Sequence, residues 1–259
     1  MKKLILALLI ALTLSTAAFA ANKTITVGVT PFPHKDIMVV VKDLLAKQGY
    51  DLEIKEFTDY VTPNTALAEK SLTANFFQHV PYLENTCKEK GLKLTWVAKI
   101  HIEPLGLYSK KIKKISELKN GAQVAIPNDA TNCARALRLL EKNGLIKVKA
   151  GELVTAKDIT SNPKNIKFRE LDAAQLPRTL QDVDASVINT NFAVEANLIP
   201  AKDAIVIEGK ESPYANVIAV RTEDKDKPEI KALVKAANSK EVKDYIIKNL
   251  VPKGIVAAF

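Results

Sequence analysis

A chain of 259 residues with 38 Lys and Arg against 29 Asp and Glu carries a formal charge of +9, and it is long enough for one large core or two moderate ones. The basic excess does not describe a nucleic-acid binder: lysines are mixed with acids, as in Lys225-Asp226-Lys227 and Lys240-Glu241, and no ring interleaves with the single cluster at Lys110 to Lys114. No GxSxG, HExxH or phosphate-loop pattern occurs, so the sequence gives no motif for an enzyme, a metal or a cofactor.

At the start of the chain, Lys2 and Lys3, the apolar run Leu4 to Leu12 and Ala18-Phe19-Ala20 read as a secretory leader, residues 1–20, cleaved after Ala20. The run is too short for a membrane span, which needs about 20 apolar residues. The first cysteine is Cys87, so no lipid-accepting cysteine follows the leader, and the expected product is exported and soluble. Cys87 and Cys133 provide no disulfide framework and are read as separate thiols.

Thr24 to Thr30 alternates and is β-branched, which predicts a strand. A loop at Pro31 to His34 follows, then a helix from His34 to Gln48 with Ile37, Val40, Val41, Leu44 and Leu45 on one face and Gly49 as its stop. Leu52 to Phe57 alternates again, completing a βαβ unit. From Phe57 to Glu84 the chain crowds Tyr60, Phe76, Phe77, His79 and Tyr82 among Asn75, Gln78 and turn formers. A core strand or helix does not ordinarily spend amides beside so many rings; the mixture suits a pocket for a ligand apolar at one end and polar at the other. A core cluster accounts for Phe57 and Phe76 equally well.

A second series begins after Lys110 to Lys114. Gln123 to Ile126 predicts a strand, Pro127 to Thr131 a polar turn, and Asn132 a cap for a helix reaching about Asn143, with Ala136, Leu137, Leu139 and Leu140 buried and Gly144 as the stop. Further strands are expected at Ile166 to Glu170, Ala185 to Ile188 and Val217 to Arg221, and helices at Pro228 to Ala237 and Lys240 to Asn249. Two such series with a late return strand predict an α/β chain of two lobes, with crossings near Pro104 to Tyr108 and Ser212 to Asn216. The lobes are then 21–106 plus 217–259, and 107–216, with a ligand cleft between them.

Two polar constellations fall at strand ends. Asn128 to Arg135 joins a strand end to a helix start, an anion site to which Arg135 adds a bidentate clamp for a carboxylate; a plain cap and a surface arginine explain the same residues. Asn189 and Asn191 follow an apolar strand, where open α/β sheets hold ligands, although Asn191 also suits a helix cap. Asn216 has the same ambiguity.

Phe57-Thr-Asp-Tyr60 with Pro63-Asn64, Phe77-Gln-His-Val-Pro-Tyr82, Ala125-Ile-Pro-Asn-Asp129 with Thr131-Asn132 and Arg135, Ile188-Asn-Thr-Asn191 and, near the start, Pro31-Phe-Pro-His34 run in order along the chain. In these motifs the chain resembles the NlpA lipoprotein family, the methionine-binding receptors of ABC importers. The resemblance implies a two-lobed periplasmic-binding-protein fold of type II-like architecture that captures L-methionine in the periplasm and delivers it, as a monomer, to an inner-membrane permease with its ATPase. It also implies that Tyr60, Phe77, His79 and Tyr82 surround the methionine side chain. Arg135 then takes the α-carboxylate, while Asn189 and Asn216 hold the amino-acid head. No carboxylate for the ligand's ammonium is evident. The chain departs from the family in lacking the lipid-accepting cysteine, in Phe192 where a tyrosine is usual, and in Cys133-Ala134. Another apolar amino acid or a methionine-containing dipeptide fits the same pattern, and an exported thiol enzyme using Cys133 with His79 is the alternative from another class.

Overall fold

The computed structural model describes residues 23–209 and 212–259; the leader expected at 1–20 lies outside them. The chain opens with β1 (Lys23–Val29), α1 (Asp36–Ala46), β2 (Tyr50–Glu56), α2 (Thr62–Ala68), β3 (Ala74–His79), α3 (Val80–Lys90) and β4 (Leu94–Ile102). It continues with β5 (Gly106–Tyr108), β6 (Gln123–Pro127), α4 (Ala130–Lys142), β7 (Lys147–Val148), β8 (Ile159–Ser161), β9 (Lys167–Leu171), α5 (Leu176–Thr179), β10 (Ala185–Ile188), α6 (Thr190–Glu195), α7 (Pro200–Asp203) and β11 (Val206–Ile207). It closes with β12 (Ala215–Arg221), α8 (Pro228–Ala237), α9 (Lys240–Tyr245) and β13 (Val256–Ala257).

These strands form two principal sheets. One has the order β13-β4-β12-β3-β1-β2, the other β11-β5-β10-β6-β9. In each, a parallel βαβ half (β1 with β2 and β3; β6 with β9 and β10) is extended by antiparallel strands. The chain leaves the first sheet after Ile102, enters the second at Gly106, leaves it after Ile207 and returns at Ala215.

Each sheet is covered on both faces, and strand alternation shows it. In β12, Ile218 and Val220 join a core with α1 and α8, while Val217 and Ala219 join Leu67 and Leu83 of α2 and α3 on the opposite face. In β6, Val124 and Ile126 pack with Leu137 and Leu140 of α4, and Ala125 faces Leu176 and Phe192. Fully burying a side chain such as Ile218 contributes about 1.5–3 kcal/mol, so both faces of each sheet contribute to stability.

The loop expected at Pro31 to His34 is a tight turn, with Phe32 in an extended conformation, that buries His34 and is held by a bond between Thr30 Oγ1 and His34 Nδ1 of 2.7 Å. Two other local expectations need correction. The run from Phe57 to Glu84 contains a true core strand, since β3 is buried along its whole length. Its amides are tolerated because they satisfy one another: Asn64 Nδ2 donates to Gln78 Oε1 (2.8 Å), and Asn64 Oδ1 accepts from both Gln78 Nε2 (2.7 Å) and Asn75 Nδ2 (2.9 Å). Finally, Asp129 and not Asn132 caps α4, its carboxylate accepting from the Asn132 backbone N–H at 2.9 Å.

Candidate functional site: a cavity between the two sheets

The cavity of interest is a narrow, tightly lined cleft between the two sheets. Tyr60, Phe77, His79, Tyr82, Arg135, Asn189 and Asn216, the residues singled out from sequence, all line it. Gln78, Glu103, Leu105, Asn132, Thr190 and Asn191 complete the wall.

Strand ends deliver these groups. His79 closes β3 and Asn216 lies opposite both His79 and His101 in the register of β12 with β3 and β4. Between Gln78 and Phe76 the register slips, leaving Phe77 without a partner across the ladder. A bulge of this kind re-aims a side chain, and Phe77, Gln78 and His79 consequently all reach the cavity. From the second sheet, β6 leads through Asp129 into α4, which carries Asn132 and Arg135, and β10 leads into Asn189, Thr190 and Asn191.

One end of the cavity is aromatic. The rings of Tyr60, Phe77 and Tyr82 lie 5.9–6.1 Å apart in tilted and edge-on pairs, and Phe192 closes on Tyr60 at 5.0 Å. The hydroxyls are turned out of the way: Tyr60 donates to Asn191 Oδ1 at 2.6 Å and Tyr82 to the Tyr60 carbonyl at 2.9 Å.

The other end is polar and only partly satisfied. The Tyr82 backbone N–H donates to His79 Nδ1 (3.1 Å), which leaves Nε2–H to donate to Asn132 Oδ1 (3.1 Å). Burial, aided by the positive charge of Arg135, lowers His79 to about 3, so the ring is neutral. Asn132 Oδ1 also accepts from Asn189 Nδ2 at 3.0 Å, so one amide links groups of both sheets. Among the described residues, Asn189 Oδ1 and Asn191 Nδ2 are buried without a partner, one acceptor and one donor. Such groups are costly to leave unmade, and here they border the cavity.

Arg135 is 3% exposed. Its Nε and Nη2 hold Glu208 at 3.1 and 2.5 Å, Nη2 also donates to the Glu103 carbonyl at 2.7 Å, and Tyr214 stacks 4.1 Å from the guanidinium carbon. The arginine therefore already has a carboxylate on one edge, while Nη1 is without a partner among the described residues.

Asn132 and Glu103 are two of the lining groups that the sequence reading did not assign to the site. Asn132 looked like a cap because it begins a helical pattern. Glu103, 6% exposed, is the carboxylate that no motif supplied; it sits at the crossing between sheets, directly before Pro104. Behind it, His101 Nε2 lies 2.7 Å and His34 Nε2 3.4 Å from Glu103 Oε1, and His34 Nε2 reaches Asn216 Oδ1 at 3.0 Å. The residue types suit a metal, but ligand atoms on a tetrahedral ion with bonds of about 2.0–2.1 Å stand roughly 3.3 Å apart. The 2.7 Å contact is that of a hydrogen bond.

No hydrogen bond joins Cys133 to His79 among the described residues. Burial, with Glu170 and Asp129 nearby, pushes the Cys133 thiol up to about 12, and His79 is committed to Asn132 and to the Tyr82 backbone. Cys87 and Cys133 are both free thiols.

Comparison with known proteins agrees with this architecture. The sequence pattern of the NlpA lipoprotein family matches residues 25–259. A relative named D-methionine-binding lipoprotein MetQ, from Salmonella typhimurium, is 48% identical over 223 residues, covering 84% of this chain and 82% of its own. The structure of a nutrient binding protein from Burkholderia cenocepacia bound to methionine superposes with a TM-score of 0.88 at 49% identity, covering 91% of this chain and all of that one. A periplasmic substrate-binding protein of an ABC transporter from Coxiella burnetii gives 0.86 at 47% identity, covering 90% of this chain and 100% of its own. The chain thus has the two-lobed α/β fold of periplasmic substrate-binding proteins, and it belongs to the NlpA lipoprotein family.

Proposed function

We propose that this chain is a substrate-binding protein that captures L-methionine in the cavity between its sheets and hands it to an ABC permease with its ATPase, without performing chemistry on it. The observation that carries the reading is the pairing, in one small cavity, of a three-ring aromatic end with a polar end that holds unpartnered amide atoms and two buried charged side chains. A relative named for D-methionine binding and a similar structure bound to methionine support the ligand class.

The roles follow from chemistry. Tyr60, Phe77 and Tyr82 surround the thioether, each sulfur–ring contact contributing about 0.3–1.5 kcal/mol. His79 fixes the wall beside them through Asn132. Arg135 offers Nη1 to the α-carboxylate, with Asn191 Nδ2 as a second donor. Glu103 and Asn189 Oδ1 receive the ammonium, and Asn216, held by His34, closes that side. A buried carboxylate and ammonium both require such partners. Nine non-hydrogen atoms at the ceiling of about −1.5 kcal/mol per atom permit nanomolar affinity.

We assign the lobes to 21–106 plus 217–259 and to 107–216, bounds that differ from the strand limits at Gly106, which belongs to β5 of the second sheet, and at Ala215 and Asn216, which belong to β12 of the first. We further propose export by the leader at 1–20 and a monomeric periplasmic product. The sequence as given has no cysteine before Cys87 although relatives are called lipoproteins, so intact mass of the exported protein tests for a lipid. No helix among the described residues is long and apolar enough to cross a membrane.

Calorimetric titration of L-methionine into refolded, ligand-free protein tests the function. One-to-one binding that is lost in Arg135→Ala is expected. No binding at millimolar L- or D-methionine moves the substrate to another apolar amino acid or a dipeptide, which competition experiments then identify.

A further inference from the structure

Asn64 is fully buried on α2 and does not line the cavity, so the site as described leaves this residue without a part. Its partners Asn75 and Gln78 lie on β3, three residues apart. In a regular strand two such residues project from opposite faces. Here they share one. Asn75 stands opposite Ala219 and Gln78 opposite Val217, which face α2 and α3, whereas Phe76 stands opposite Ile218 on the other face. The extra residue that resets the alternation is Phe77.

Asn64 bonds to both sides of that bulge. Its amide pairs reciprocally with that of Gln78, Nδ2 donating to Oε1 at 2.8 Å and Oδ1 accepting from Nε2 at 2.7 Å, and Oδ1 also accepts from Asn75 Nδ2 at 2.9 Å. Gln78 Nε2 gives its second hydrogen to Asn75 Oδ1 at 3.0 Å, and Asn75 Nδ2 gives its second to the Pro63 carbonyl at 3.2 Å. A β3 without the extra residue would turn Gln78 away from Asn64 and leave buried amides unpaired, which is costly. Other buried residues on this face, Leu67, Leu72, Val217 and Ala219 among them, are apolar, so packing alone does not call for three amides.

We propose that Asn64 is a positioning residue: by tying Asn75 to Gln78 across the bulge it holds the Phe77 ring at the aromatic end, and so sets the preference for a thioether. The inference rests on the reading of Phe77 as a ring against the ligand's sulfur. Asn64 itself touches no ligand and acts through Phe77 alone. Its removal leaves the bulge without its side-chain tie, and the ring is then free to leave the place from which it meets the sulfur.

The test is the ratio of calorimetric dissociation constants for norleucine and L-methionine, ligands that exchange a methylene for the sulfur. Asn64→Ala is expected to lower this preference by up to about tenfold, the range of one sulfur–ring contact. Combined with Phe77→Leu it should add nothing to the change that Phe77→Leu makes by itself. A ratio unchanged in Asn64→Ala, with both affinities falling together, overturns the proposal, as does an additive effect in the double variant. If methionine does not bind the wild type at all, the functional reading fails, and the tie is read without ligand from the Phe77 ring signals by NMR. Phe77 signals that move in Asn64→Ala while those of Phe76 stay in place support the positioning; Phe77 signals that do not move overturn it. Should the variants not fold, the side-chain amide hydrogens of Gln78 in the wild type decide: slow exchange with solvent supports the tie, and free exchange overturns it.

Discussion

The two ends of the cavity rest on opposite physics. The aromatic end is satisfied without a ligand: every tyrosine hydroxyl has a partner and the rings contact one another at 5.0–6.1 Å. The polar end is not, since Asn189 Oδ1 and Asn191 Nδ2 lack partners among the described residues and Glu103 is a buried carboxylate faced by neutral imidazoles. The difference shows where discrimination resides. A wall of rings separates ligands that differ by a methylene by only about 1–3 kcal/mol, whereas a site built around hydrogen-bonding groups rejects analogues that lack them by several orders of magnitude. On the proposed reading, the aromatic end selects a shape and the polar end an amino acid.

The sharpest break of this contrast is at Arg135. Its removal leaves both the ligand carboxylate and the partly buried Glu208 unpaired, and the expected loss in binding is about 3–5 kcal/mol, read by calorimetry, with a lowered melting temperature. A smaller effect is expected at the aromatic end: Phe77→Leu loses about 0.3–1.5 kcal/mol of methionine affinity and less for norleucine, which has no sulfur. Equal losses for both ligands would mean that the ring acts by volume alone. The smallest effect is expected at Cys133, which lies on the core side of α4. Cys133→Ser costs stability by burying a hydroxyl, about 1–3 kcal/mol, while the dissociation constant stays unchanged; a shift in affinity would draw this thiol into the site.

The same contrast explains what the sequence made legible. β1, α1 and α8 are written in plain periodicity, because their buried apolar residues face a single core. β3 was obscured because its amides pair with Asn64, fourteen residues before Gln78 in the chain but adjacent in space. The seven residues expected at the site do meet, carried there by strand ends whose order the βαβ pattern sets. Glu103 was hidden for a different reason. It stands alone at a crossing, and only the fold brings it beside His34, far from it in sequence. Asn132 shows the limit of reading caps: Asp129 performs the capping and frees Asn132 to bridge His79 and Asn189.

The central claim is that the polar end recognises both charges of an amino acid. The most direct measurement compares calorimetric affinities of L-methionine with two analogues, one lacking the ammonium and one with the carboxylate replaced by hydrogen. The account predicts that each analogue loses at least about 3 kcal/mol, since each strands a buried charged partner. An analogue that binds as tightly as methionine would contradict it and leave the aromatic end as the whole basis of recognition.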